Sequence, residues 1–229
     1  MLKRPFRTLL LLILGWVFLN LGLVAAAWSR AYFADIDPIP QTIALDLRTD
    51  TAQAGRIVTL IATKPTPAKA DYIGHMWVAW PQTPPLAPKG STEGGYYAKN
   101  QGRAAGLLAI ALLAPWGFVT GQVADEGLMK VDDGWWRHVQ VQVRVNEDRY
   151  QAALAVDSRW RRETRYRLRP GLKGFGDTRL WACQDYVLDV ADALGLMGHP
   201  RDWTQFPMGS FLDFAKANDI KLSHRAGKD

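Results

Sequence analysis

Cysteine is nearly absent from this chain of 229 residues: Cys183 is the only one, so no internal disulfide can form. Histidine is scarce too, and His75, His138, His199 and His224 show none of the paired spacing that zinc sites use. No metal and no cofactor is expected. The sequence has no nucleophile elbow of the G-x-S-x-G type, which argues against a serine hydrolase built on that turn. Gly171, Gly174 and Gly176 (GLKGFG) follow no strand in the dinucleotide-binding order, so they read as a turn. No internal repeat is visible.

What is present is apolar weight: 48% of the residues are hydrophobic, enough for one core, and the length favours one domain plus an appendage. The net charge of +6 and the sequence pI near 9.5 would permit nucleic-acid binding. The basic residues are scattered, however, apart from the arginines of residues 159–169, and no nucleic-acid partner is expected. That cluster reads either as a patch facing an anionic surface or polymer, or as a solvated face.

Residues 9–28 contain one strongly polar residue, Asn20, and twenty residues of helix is about what a bilayer core requires. Lys3, Arg4 and Arg7 precede the run, and the positive-inside bias keeps that end cytoplasmic. The expectation is a single-pass inner-membrane protein with its domain in the periplasm or otherwise outside the cytoplasm. The competing reading is a signal peptide cleaved after Ala25, Ala26 and Ala27; the bilayer is the expected partner of an uncleaved anchor. The implied division is an anchor over 1–30, a linker over 31–40 rich in proline and aspartate, and one domain over 41–229.

Within that domain, residues 41–48 alternate and residues 56–63 form a β-branched run, so both are expected strands. Residues 74–80 (GHMWVAW) and 91–97 (STEGGYY) are two more. Residues 139–145 (VQVQVRV) give the clearest alternation, and residues 164–168 give a last strand. A helix follows Asn146, its expected cap, with Tyr150, Ala153, Leu154 and Trp160 at helical spacing. Another buries Cys183, Tyr186, Val187, Val190, Ala191 and Leu194 and stops at Gly195. Asp177 and Thr178 are candidate caps ahead of it, and Ser210 with Asp213 suggests a capping box opening a final short helix. Residues 104–119 carry no charge and are broken by Pro115; they read as a buried core helix or as an interfacial segment.

The residue types left for chemistry point to a thiol. A cysteine in the first turn of a helix faces unpaired N–H groups that stabilise thiolate, and a strand histidine can take its proton and later return it. Cys183 and His75 are the candidates, against the plain alternative of a buried small side chain and a hydrogen-bonded core histidine. Trp77, Trp80, Trp135 and Trp136 either line a groove for sugar or acyl chains or belong to the core.

The order GHMWVAW, STEGGYY and then ACQDYVLDVADALGL resembles the circularly permuted branch of the NlpC-type papain-like superfamily. There, the histidine strand precedes the cysteine helix. The resemblance covers about residues 70–195 and leaves the charge-free stretch unplaced. It implies an α+β domain, an antiparallel sheet packed against the cysteine-bearing helix. It also implies Cys183 as nucleophile, His75 as general base, and a polar residue on the next strand, Glu93 or after it Thr92, orienting the imidazole. The activity it implies is hydrolysis of an amide or ester through an acyl-enzyme, on a cell-wall peptide or a lipid-linked acyl group. The alternatives are an acyltransferase with the same pair or a catalytically inactive envelope-binding module.

Overall fold

Val139, Val141, Val143 and Val145 are fully buried while the polar residues between them are not, which is the pattern of a strand with one face in a core. The computed structural model describes residues 4–34, 41–52, 54–65, 74–98, 119–125, 138–166, 182–198 and 205–223. Its seven strands are β1 (Gln41–Asp46), β2 (Arg56–Thr63), β3 (His75–Ala79), β4 (Glu93–Ala98), β5 (Val119–Asp125), β6 (Val139–Val145) and β7 (Arg165–Tyr166). They form one sheet in the order β1-β6-β2-β3-β4-β5-β7.

The expected antiparallel sheet is corrected to a mixed one, because β1 runs parallel to β6. The register explains why this pairing is favourable: Ile43 and Leu45 stand opposite Val141 and Val143, so both strands turn their apolar sides the same way. On its other side β6 pairs antiparallel with β2, Leu60 opposite Val141 and Val58 opposite Val143. The remaining neighbours, β2 to β3, β3 to β4, β4 to β5 and β5 to β7, are antiparallel.

Four helices complete the described fold: α1 (Arg4–Tyr32), α2 (Glu147–Arg162), α3 (Cys183–Ala193) and α4 (Pro207–Ala217). The last three share one continuous apolar core with the sheet, in which Trp160, Tyr186, Val190, Phe211 and Phe214 meet Met76, Val78 and the β6 valines. All four residues expected on the buried side of α2 are there. Asn146 precedes α2 but does not cap it through its side chain, whose amide instead donates to Thr49 Oγ1. The final helix starts earlier than the Ser210/Asp213 pattern implied: Pro207 opens it, and Ser210 lies buried inside it. Proline at the first helical position, with φ already helical and no N–H to leave unpaired, is the stronger start signal. Strand β5 was not anticipated, since residue 119 was assigned to the end of the charge-free stretch. The rest of that stretch, residues 104–118, and the linker from residue 35 lie outside the described residues.

The anchor is also corrected, and with it the single-pass inner-membrane localisation. Among the described residues no helix is long and apolar enough to cross a membrane. The apolar run of α1 ahead of Asn20, residues 9–19, is eleven residues. That uninterrupted run rises about 16 Å, against about 30 Å of hydrocarbon core, so a span would have to carry Asn20 within it. Helix α1 meets the domain near its C-terminal end, where Arg30 pairs with Asp213 of α4 at 2.7 Å, Ala31 is buried and the Lys64 ammonium donates to the Ala34 carbonyl at 2.6 Å.

Gly74 turns the chain into β3 with φ +73, and a Cβ there would stand 2.5 Å from the Thr63 carbonyl oxygen. Gly74→Ala is therefore expected to lower unfolding free energy by about 2 kcal/mol, read from urea denaturation. A second test uses two buried phenols. Burial, with Glu163 nearby, pushes Tyr96 above the ordinary phenol range, and burial, with the Asp157 carboxylate beside it, does the same to Tyr186. Both are held protonated in the fold, so the stability they contribute is complete below about pH 10 and is lost as pH rises through the raised values. Of the seven tyrosines, these two should show tyrosinate absorbance only as the far-UV circular dichroism is lost in an alkaline titration.

Candidate thiol site

Alternation along β3 sends Met76 and Val78 into the core shared with the helices, and His75 and Trp77 to the opposite face. There His75 stands opposite Thr63 of β2 and Trp77 opposite Ile61; the imidazole is 4% exposed. The imidazole stacks on Tyr97 of β4, ring centroids 4.3 Å apart, and on Trp77 at 5.7 Å. The Trp77 indole N–H donates to Glu93 Oε2 at 2.9 Å. Glu93, opposite Ala79, shares this face and reaches the imidazole's stacking partner; Thr92 is exposed, and its carbonyl accepts from the Trp80 N–H.

The β3–β4 ladder is short. The β3–β4 ladder joins residues 77–79 to 93–95, yet β3 stays paired with β2 as far as His75 and β4 stays paired with β5 as far as Ala98. Beyond Trp77, contact between the two strands is carried by the stacked His75 and Tyr97 rings rather than by further ladder pairs.

Cys183 is the first residue of α3, which packs across β3 and β4. Ala182 is the N-cap, in extended conformation, and the Asp185 carboxylate accepts from the Ala182 N–H at 2.9 Å, which closes the helix start. This cap replaces the expected Asp177 or Thr178, which lie outside the described residues. The thiol is free and 3% exposed. Among the buried apolar residues, Ile61, Trp77, Tyr97 and Cys183 stand outside the continuous core, and Cys183 is the one that belongs to a helix.

Other sequence candidates resolve differently. Trp80 is buried in the main core against Tyr150, and Trp77 is buried beside His75, so neither lines an open groove; Trp135 and Trp136 lie outside the described residues. Three arginines at or just past the end of α2 are engaged within the chain: Arg159 with Asp189, Arg161 with Asp157 and Arg165 with Glu163. His138 accepts the Lys64 N–H through Nδ1 at 3.1 Å. Among the described residues no group of three His, Cys, Asp or Glu side chains is arranged to hold a metal ion.

The architecture is thus an α+β domain on a mixed seven-stranded sheet with a buried thiol at a helix start. Comparison with known proteins returned no matching family model, no similar curated protein and no similar solved structure.

Trp77 joins His75 to Glu93, so its loss should be felt locally. Trp77→Phe removes the only side-chain donor of the indole while keeping an aromatic ring, and should cost about 2 kcal/mol in urea unfolding. An unchanged midpoint would mean that the indole bond to Glu93 contributes nothing.

Proposed function

We propose that the chain is a thiol-dependent acyl-transfer enzyme that hydrolyses an amide or ester through an acyl group carried on Cys183. The observation that carries this reading is the position of Cys183. It opens a helix that lies over β3 and β4 and stands outside the continuous core, as do Trp77 and Tyr97, the two rings that stack on His75. The reading requires the thiol on the helical side to reach past the end of the β3–β4 ladder to His75, which is rooted on the face of β3 turned away from the helices.

In the proposed cycle His75 takes the Cys183 proton and the sulfur attacks the carbonyl carbon. The tetrahedral intermediate collapses with cleavage of the C–N or C–O bond, and the leaving group departs with the proton held by His75. Water then gives a proton to His75, adds to the thioester and releases the acid, and the proton returns to sulfur. Backbone N–H groups at the start of α3, that of Cys183 included, face the developing oxyanion. Glu93 acts through Trp77, fixing the ring on which the imidazole stacks. The substrate class carried by the superfamily resemblance is a cell-wall peptide or a lipid-linked acyl group, and with an alcohol or amine in place of water the same steps give an acyltransferase.

One observation favours the rival reading of a binding module without catalysis: Cys183 and His75 are 3% and 4% exposed. Turnover of p-nitrophenyl acetate separates the two. The enzyme reading expects a burst of p-nitrophenol and one acetyl group on Cys183 by peptide mass spectrometry. Cys183→Ala should abolish the burst, and His75→Ala should reduce it at least about 100-fold, both with unchanged circular dichroism. Retained activity in either variant, or a thiol that is modified only after unfolding, would sink the enzyme reading.

A further inference from the structure

Beneath the first turns of α3 runs a buried polar chain. The Tyr186 phenol donates to Asp157 Oδ1 at 2.6 Å, and Arg161 Nε donates to Asp157 Oδ2 at 2.7 Å. Asp157 is fully buried and the Arg161 side chain is 6% exposed. Replacing a buried ion pair with apolar side chains of similar volume is often neutral or stabilising, so such a network is weak evidence for a stability role. Its geometry does something apolar packing does less well: it gives a side chain one direction.

Tyr186 lies three residues after Cys183, and its own N–H donates to the Ala182 carbonyl, closing the turn that holds the thiol. The phenol and Arg161 Nη2 rest over Gly94 of β4, where a Cβ would come within 3.5 Å of the phenol oxygen and 3.0 Å of the guanidinium. A second tie joins the two helices further along, where Asp189 accepts from the Trp160 indole at 2.8 Å and from Arg159 at 2.7 Å. That tie is partly exposed, with the Asp189 side chain at 25%. It holds α3 against α2 about one turn beyond Tyr186 and meets the thiol's turn through packing, the Trp160 ring lying edge-on to the Tyr186 ring with centroids 5.8 Å apart.

We propose that Tyr186, anchored by Asp157 and Arg161 above Gly94, is a positioning residue that sets the rotation of the first turn of α3 and so the direction in which the Cys183 sulfur points. This rests on the reading of Cys183 as a nucleophile. It adds a requirement outside the Cys183–His75 pair itself. Because Asp157 and the phenol are sealed from water, salt screens the tie little.

The test compares Tyr186→Phe, which deletes the phenol oxygen, with Asp189→Ala, which deletes the outer tie, in the full chain. Tyr186→Phe should slow acetylation of Cys183 by p-nitrophenyl acetate about 10-fold with an unchanged half-saturating concentration, since small misplacements of a reacting atom cost rate rather than binding. It should also speed amide hydrogen exchange in the first turn of α3. Asp189→Ala should leave acetylation within about twofold even where its unfolding midpoint falls as far. Gly94→Ala, which presses on the same phenol and guanidinium from the sheet side, should reproduce the kinetic pattern of Tyr186→Phe. Equal losses in Tyr186→Phe and Asp189→Ala, or none in Tyr186→Phe, would overturn the proposal. If wild-type Cys183 is not acetylated at all, the enzyme reading fails by itself. The exchange measurement then still decides the tether: faster first-turn exchange in Tyr186→Phe than in Asp189→Ala supports it, and equal rates refute it.

Discussion

A strand in which every second residue is valine can sit in a half-buried sheet in only one parity, since a slip of one residue would put four valines in water and three long polar side chains in the core. That constraint on β6 fixes both of its neighbours. Leu60 and Val58 of β2, and Ile43 and Leu45 of β1, take their places opposite its valines. From β2 the parity passes to β3, where it decides that Met76 and Val78 face the helices and His75 faces away. The location of the imidazole thus follows, through two registers, from a repeat of valines some sixty residues further along the chain.

The helical layer is held by different means. Apolar packing brings α2, α3 and α4 onto the valine face, but it leaves their rotation loosely defined, because a ring of similar side chains offers several comparable fits. Directional bonds between α2 and α3, at Asp157 and at Asp189, remove that freedom. The burial of Asp157 is tolerable because both of its carboxylate oxygens are occupied by donors, one of them a cation four residues along the same helix.

Much of the scaffold was legible in the residues themselves. Strands β2 and β6 have the limits their alternation or β-branched run implied, and the burial of Tyr150, Ala153, Leu154 and Trp160 was readable from their spacing. What was missed shares a cause: it depends on partners distant in sequence. The parallel pairing of β1 leaves no local mark, because the same alternating string serves either direction. Strand β5 (VTGQVAD) has a glycine as its third residue and weak alternation, and its place comes from the tyrosines of β4. The start of α4 was misread because a capping pattern at Ser210 outweighed Pro207, though the proline's fixed φ is the firmer constraint. Of the site, the residue types and the position of Cys183 at a helix start could be read directly. The bond from Trp77 to Glu93 and the Tyr186–Asp157 tie could not, since each joins side chains whose separation in sequence carries no signal.

The parallel pairing of β1 with β6 has a consequence for the order in which the chain is assembled. As the polypeptide leaves the ribosome, β1 emerges first, yet the strand that must flank it is made only after β2, β3, β4 and β5. Until then its amphipathic edge has no ladder to join, and hydrogen bonds of such long sequence separation form late. Helix α1, which meets the domain through Lys64 and through Asp213 of α4, waits longer still, for a helix near the end of the chain. Helix α1 and strand β1, made before the other described elements, are therefore among the last to find their places.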